Sequence, residues 1–299
     1  MAMSDVYEIP ELKNENVHIK DKEELLRKLN LLIKDGHTKL QVVTDFDHTL
    51  TRHRMDDGKM VLTSFGMFRE CPSVPQYYKD EDNRLASIYK PIECDPHMSV
   101  EEKTQHMVEW YLAAHKILKG LKFPRSELMD IAHKMIQCFR RGAGELMSWC
   151  EAQRVPVLVF SAGLGECVVA ALGAANYLLP NVKVVSNFLS MDDEDKIIGI
   201  KGEVIHVYNK NETAIKHTAY YEMVKERSNV VLMGDNLGDA GMAEGMEHCH
   251  VVLKIGFLGH NTAANLPQYL DKFDVVLVDE PTMDVANAIL QRIFFISRH

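Results

Sequence analysis

The sequence predicts an α/β fold, a mainly parallel sheet covered by helices with a helical block inserted, on three observations. Short continuous apolar runs rich in valine, such as Leu40–Thr44 and Val230–Met233, read as strands buried on both faces. These runs alternate with segments of helical spacing, which is the pattern of helices packed on both sides of a sheet. The stretch between the first such run and the next, at Pro156–Ser161, is mostly helical in pattern, so it reads as an insertion into the α/β core.

Taken in order, residues 1–20 are polar and irregular. Glu23 to Lys34 places apolar residues at helical spacing, and Gly36 follows at a natural stop. The strand Leu40–Thr44 comes next. From His53 to Asp95 the pattern breaks up, and Gly58, Gly66, Pro72, Pro75 and Pro91 argue against long regular elements. Ser99, followed by Glu101 and Glu102, reads as a helix cap with acidic residues in the first turn, and the helix should run to Lys119 before Gly120. Further helices are expected over Ser126–Arg141, Gly144–Gln153 and Gly165–Tyr177. The remaining buried strands should be Val182–Val185, Val230–Met233, Val251–Lys254 and Val275–Val278, with Met283–Ile296 as the closing helix.

The bulk numbers suit this reading. At 299 residues the chain is long enough for a large domain or a core with an insert. Hydrophobic residues make up 46% and charged residues 26%, as in an ordinary soluble globular protein. A formal net charge of -9 argues against a broad surface for a nucleic-acid polymer. The six cysteines (Cys71, Cys94, Cys138, Cys150, Cys167 and Cys249) are scattered without a C-x-x-C pair, which suits buried reduced thiols. No window approaches the length of a membrane span and no leader pattern opens the chain, so a cytoplasmic protein without membrane contact is expected. A monomer is expected too.

Chemistry concentrates at the strand ends. Ligands in an open parallel sheet bind outside the carboxyl ends of the strands, and here those ends read D-F-D-H-T, S-A-G and M-G-D-N-L-G-D. Asp45, Asp47, Ser161, Asp235 and Asp239 should therefore converge. Several carboxylates at one edge need a counter-charge, and an all-oxygen set suits Mg²⁺, which favours phosphate oxygens. Ser161, Ala162 and Gly163 precede a helix, so they could hold an anion at its N-terminus. Lys210, in V-Y-N-K-N-E-T, is a candidate to complete the site. Each motif alone has a plainer reading: D-x-D is common in loops, Ser161 could cap a helix, and Asp235 and Asp239 could form turns beside Gly234 and Gly238. Their joint occurrence at strand ends, in this order, favours a site.

That ordered set resembles the motifs of the haloacid dehalogenase-like phosphohydrolases. The segments P-I-E-C-D-P, H-M-V-E-W-Y, V-K-V-V-S-N-F, G-E-V-I-H-V-Y-N-K-N, L-K-I-G-F-L and F-D-V-V-L-V further resemble the cytosolic 5'-nucleotidases of type III, over nearly the whole chain beyond residue 20. That family includes pyrimidine and 7-methylguanosine-phosphate-specific 5'-nucleotidases. The resemblance implies a Rossmann-like, mainly parallel core, residues 1–54 and 145–299, with an inserted helical cap domain at 55–144 between the first and second motifs. It implies Mg²⁺-dependent hydrolysis of nucleoside 5'-monophosphates such as 7-methyl-GMP, CMP or UMP. Asp45 would be the nucleophile that becomes an aspartyl-phosphate, and Asp47 the general acid and base. The metal would sit on the Asp45 carboxylate, the Asp47 carbonyl and Asp235, with Asp239 holding its surroundings. Phosphate contacts would fall to Ser161, Ala162 and Lys210.

For the base, the resemblance assigns Phe65, Glu93, Tyr111 and Ala114. Phe65 and Tyr111 could sandwich a base, and a cationic methylated guanine would gain from aromatic faces and a carboxylate, each on the order of 1 kcal/mol. From spacing alone Tyr111 could equally be core packing, since Met107, Tyr111, Ala114 and Leu118 share one helical face. The family commonly has serine at Ala114, tryptophan at Tyr111 in its methylguanosine-directed members, and often serine at Asn236. Other readings are a phosphatase for another small metabolite such as phosphoserine, a receiver-type phospho-acceptor module, or a catalytically silent nucleotide-binding homologue.

Overall fold

Residues 9–93, 95, 98–211, 215, 219–246 and 248–295 are described by the structure, a computed structural model. Nine strands occur among them: β1 (Val17–Ile19), β2 (Leu40–Thr44), β3 (Val157–Leu164), β4 (Val182–Asn187), β5 (Leu189–Met191), β6 (Ile197–Ile200), β7 (Asn229–Gly234), β8 (Val251–Leu258) and β9 (Val275–Val278). Seven form one sheet in the order β1-β9-β8-β7-β2-β3-β4, parallel except for the β1 edge, while β5 and β6 form a separate hairpin. The helices are α1 (Lys22–Asp35), α2 (Ser64–Glu70), α3 (Gln76–Glu93), α4 (Val100–Leu118), α5 (Arg125–Met135), α6 (Ala143–Ala152), α7 (Gly165–Ala174), α8 (Ala219–Val224), α9 (Thr262–Lys272) and α10 (Asp284–Phe295).

The valine-rich runs are strands because both of their faces are covered. Alternate residues divide between two cores. Val42, Val157, Val159, Val231 and Leu253 face one side, where Leu25 and Leu29 of α1 and Ile289 and Ile293 of α10 pack. Val43, Leu158, Phe160, Val230 and Leu232 face the other, against Tyr220 of α8, Tyr269 of α9 and Phe273 just after it. The strand order reverses at β2, which pairs in parallel with β3 on one side and β7 on the other. That junction opens the crevice in which the site lies.

Helices α2 to α6 lie between β2 and β3 in the chain, so that stretch is mostly helical. The predicted cap at Ser99 is present: its hydroxyl accepts from the Glu102 amide, and the Glu102 carboxylate accepts from the Ser99 amide. The block is tied to the core by the β5–β6 hairpin. The Gly120 amide donates to the Ile197 carbonyl at 2.7 Å, the Ile197 amide to Leu121 at 2.8 Å, and the Phe123 amide to Asp195 at 2.8 Å. Arg125 adds two bonds to the Asp195 carboxylate, at 3.0 and 2.7 Å.

Several expectations are corrected. Residues 53–95 hold two helices rather than broken structure: Pro75 lies just before α3, and Pro91 lies inside it close to its end, so only the final residues of the helix bear the missing amide donor. The helix expected to reach Arg141 ends at Met135, and a 3-10 turn follows so that Phe139 can bridge to Thr51. The helix expected to reach Tyr177 ends at Ala174, before Asn176 at φ 58°. Within the irregular first twenty residues lies edge strand β1; residues 1–8, Cys94 and Ile296 fall outside the described residues. The other five cysteines form no disulfide, and four of them are buried. Among the described residues no helix is long and apolar enough to cross a membrane.

Candidate active site

Strand β2 ends at Thr44, so Asp45 and Asp47 stand on the turn that follows it. The Asp45 amide donates to the Met233 carbonyl of β7 at 3.0 Å, which fixes its carboxylate at the crevice floor. His48 then adopts φ 61° and reverses the chain. Arg140 holds this reversal: it donates to the Thr49 carbonyl at 2.7 Å and to the His48 carbonyl at 2.6 Å, with its guanidinium 4.2 Å from the Phe257 ring centre. Burial lowers the Arg140 pKa to about 10, though Asp235 and Glu280 oppose the shift.

The two aspartates turn to different partners. Lys210 donates to Asp45 at 2.5 Å and to Asp239 at 2.8 Å, all three side chains being nearly inaccessible. Asp47 instead faces α2, where it accepts from the Ser64 amide at 2.8 Å and the Ser64 hydroxyl at 2.7 Å. Burial raises the Asp45 pKa to about 7; Lys210 opposes this, and Asp239 adds to it. Burial also raises Asp47 to about 6 against the two Ser64 bonds. Asp235 is pushed well above the usual carboxylate range by burial, then by Asp45 and Asp239.

Asp239 is held by its own loop. Its carboxylate accepts from the Asp235 amide at 3.2 Å and the Asn236 amide at 2.9 Å, as well as from Lys210. Gly234 makes this possible, because a Cβ there would lie 2.3 Å from the Asp239 Cβ. Carboxylate oxygens of Asp45, Asp235 and Asp239 all lie within 4.8 Å of one another. This donor set fits a hard divalent cation. Since the Asp239 oxygens are already engaged, Asp45 and Asp235 are the better direct ligands. Asn236 keeps the loop intact by accepting from the Gly238 amide, so the change from serine is absorbed locally.

Ser161 does not cap α7. It is fully buried on β3, and its hydroxyl accepts from the Gly163 amide at 3.0 Å; Leu164 stands at the cap without a side-chain bond. The Ala162 carbonyl accepts from Asn187 at 2.8 Å, which orients the peptide.

The base candidates come from α2, α3 and α4. Phe65 and Tyr111 do approach, but edge to face, with centroids 6.2 Å apart and planes at 76°. They therefore offer a base one face and one edge, not the two parallel faces of a sandwich. Tyr111 is pushed far up by burial and by Glu93, with smaller effects from Lys210, Asp47 and Asp45, so it lies within electrostatic reach of that cluster. Burial raises the Glu93 carboxyl, with Lys90 opposing. Its backbone carbonyl accepts from the Tyr208 hydroxyl at 3.0 Å. Ala114 is buried one turn beyond Tyr111. Sequence reasoning passed over Ser64 and Arg140. Ser64 sits inside T-S-F-G, in a stretch whose glycines and prolines read as broken structure, and Arg140 lies far from every motif.

Residues 48–294 match the family described as Pyrimidine 5'-nucleotidase (UMPH-1). The chain belongs to this family. A 7-methylguanosine phosphate-specific 5'-nucleotidase of Drosophila melanogaster is 42% identical over 287 residues, covering 96% of this chain and 90% of that protein. The crystal structure of cytosolic 5'-nucleotidase IIIB bound to cytidine superposes with a TM-score of 0.92 at 42% identity, covering 96% of each chain. A probable phosphoserine phosphatase from Vibrio cholerae, at 15% identity and a TM-score of 0.53 over 89% of this chain and 69% of that one, shares the fold alone. Family membership confirms the resemblance drawn from the motifs, the haloacid dehalogenase-like fold and the enzyme class. This is a 5'-nucleotidase, a phosphoric monoester hydrolase.

Proposed function

We propose that this nucleotidase hydrolyses 7-methyl-GMP and CMP through an aspartyl-phosphate on Asp45, with Mg²⁺ as its metal. The observation that carries the reading is the divided environment of the paired aspartates. Asp45 faces Lys210 and the Asp235 carboxylate, where a phosphate and a cation belong, while Asp47 faces α2 from the adjoining turn. Support for the substrates comes from the relative named for 7-methylguanosine phosphate and the neighbour solved with cytidine. We place the enzyme in the cytoplasm as a monomer.

The Asp45 carboxylate attacks phosphorus, the bond to the 5'-oxygen breaks, and Asp47 donates its proton to that oxygen. Asp47 then takes a proton from water, which attacks the phosphorus of the acyl phosphate; inorganic phosphate leaves and the Asp45 carboxylate returns. A pKa near 6 suits a group that gives and then accepts a proton near neutral pH. Lys210, the Ser161 hydroxyl and the Ala162 amide stabilise charge on the equatorial oxygens. Asp45, the Asp47 carbonyl and Asp235 would hold Mg²⁺, which supplies neutralisation of phosphate charge. Phe65, Tyr111 and Glu93 bind the base, with Ala114 leaving room beside it.

The reading is tested by phosphate release from CMP, UMP, AMP, GMP, 7-methyl-GMP and phosphoserine, with Mg²⁺ and with chelator. Hydrolysis of 7-methyl-GMP and CMP that stops on chelation is expected. A lead by phosphoserine, or turnover that survives chelation, would contradict the substrate or the metal. Phe65→His should lower kcat/KM for 7-methyl-GMP about fivefold more than for CMP, the equivalent of roughly 1 kcal/mol of cation–π attraction. Equal losses on both substrates would remove Phe65 from base selection.

A further inference from the structure

We propose that Ser64 is the positioning residue of Asp47, and that position 163 is glycine to make room for it. The proposal rests on the acid–base role given to Asp47 above and adds the group that aims it. Ser64 is fully buried, and it is the first residue of α2, the first helix of the inserted block. Its two donors divide the Asp47 carboxyl. The backbone amide, 2.8 Å from Oδ1, is a fixed donor that keeps that oxygen an acceptor. The transferable proton therefore belongs on Oδ2. The hydroxyl, 2.7 Å from Oδ2, can donate to the ionised form and rotate to accept when that oxygen is protonated. One side chain thus serves both states through which Asp47 must pass.

Gly163 supplies an independent observation. Its φ is not in the left-handed region, so the backbone does not call for glycine. Space does: a Cβ there would lie 1.8 Å from the Ser64 hydroxyl oxygen and 3.2 Å from Asp47 Oδ2. The residue cannot retreat either, because its amide donates to the Ser161 hydroxyl at 3.0 Å and its carbonyl accepts from Ser186 at 2.9 Å. The phosphate-binding strand β3, the acid Asp47 and helix α2 therefore meet at one close contact. The acid is aimed only while the inserted block is docked on the core.

The test compares the nucleoside 5'-monophosphate that the enzyme turns over fastest with its 5'-S-phosphorothiolate. In the latter the leaving thiolate needs no proton. In single turnovers with Mg²⁺ and enzyme in excess, Ser64→Ala should slow nucleoside release roughly tenfold and slow thionucleoside release far less. Gly163→Ala, which displaces the hydroxyl without deleting it, should give the same leaving-group pattern and carries the test if Ser64→Ala does not fold. Equal slowing of both substrates would make Ser64 merely structural, and no slowing of either would remove it from the reaction; both overturn the proposal. A wild-type enzyme that releases neither product would overturn the nucleotidase reading itself.

Discussion

Asp45→Asn is expected to abolish turnover and, without divalent cation at pH 8, to make the protein more stable. An amide is no nucleophile toward phosphorus, so activity should fall by about three orders of magnitude or more. The stability gain follows from the direction of the Asp45 shift. Its folded pKa is raised to about 7, chiefly by burial, whereas an unfolded aspartate titrates near 4. The folded state therefore binds this proton more tightly than the unfolded chain. The stability so gained is full below about pH 4, is lost as pH rises through about 7, and leaves a buried anion beside Asp235 and Asp239. Asparagine removes that repulsion. After allowing for the lost Lys210 bond, a gain of about 1–3 kcal/mol at pH 8 is expected. The difference should shrink at pH 4, and also with Mg²⁺, which supplies the missing counter-charge. Thermal unfolding of both proteins at the two pH values, with and without Mg²⁺, measures it. A metal-free variant at pH 8 no more stable than its parent would show that Asp45 is not under charge repulsion.

Much of this was legible in the chain because a doubly covered parallel strand advertises itself. V-V-L-V is apolar throughout and L-Q-V-V-T is apolar except for the buried Gln41 and Thr44, and both appear with the expected bounds. The hairpin β5–β6 was invisible for the opposite reason. Its strands are short, its turn is the acidic D-D-E-D, and Asp195 takes φ 62° there, so polarity reads as loop. Helix α3 was hidden because Pro75 stands at its threshold and Pro91 inside it, and proline in a sequence reads as a helix breaker. The clustering of Asp45, Asp235 and Asp239 was legible because charge at buried strand ends has few structural uses. Ser64 and Arg140 were not, because their roles depend on which turn of chain lies opposite, and that is decided by tertiary packing. The edge-to-face meeting of Phe65 and Tyr111 belongs to the same class: the family resemblance suggested both rings for the base, but nothing in the sequence sets the angle between them.

Lys210→Met should have the largest effect on stability. Burial works against the Lys210 charge, but Asp239 and Asp45 outweigh it and hold the ammonium well above the usual lysine range. The wild-type benefit is therefore present throughout the ordinary pH range, below the unfolded lysine pKa, and fades only in strong alkali. Removing the ammonium leaves Asp45 and Asp239, both buried, facing Asp235 with no cation among them. Breaking a buried pair in this way costs about 3–5 kcal/mol. The loss should be greatest at pH 8 and smaller at pH 5, where the carboxylates can take up protons, and Mg²⁺ should restore part of it. Denaturant titration at both pH values, with and without Mg²⁺, reads this directly; a variant as stable as its parent at pH 8 without metal would contradict the ion-pair account. Turnover should fall too, by about 10²–10³, the usual effect of losing one group that stabilises transition-state charge. The two losses separate, because Mg²⁺ can neutralise the carboxylates but cannot replace a donor on the equatorial oxygens. An ammonium has three donors, and two are spent on Asp45 and Asp239. In the proposed mechanism the third serves the phosphate, so the pairing that stabilises this cluster would also aim that donor.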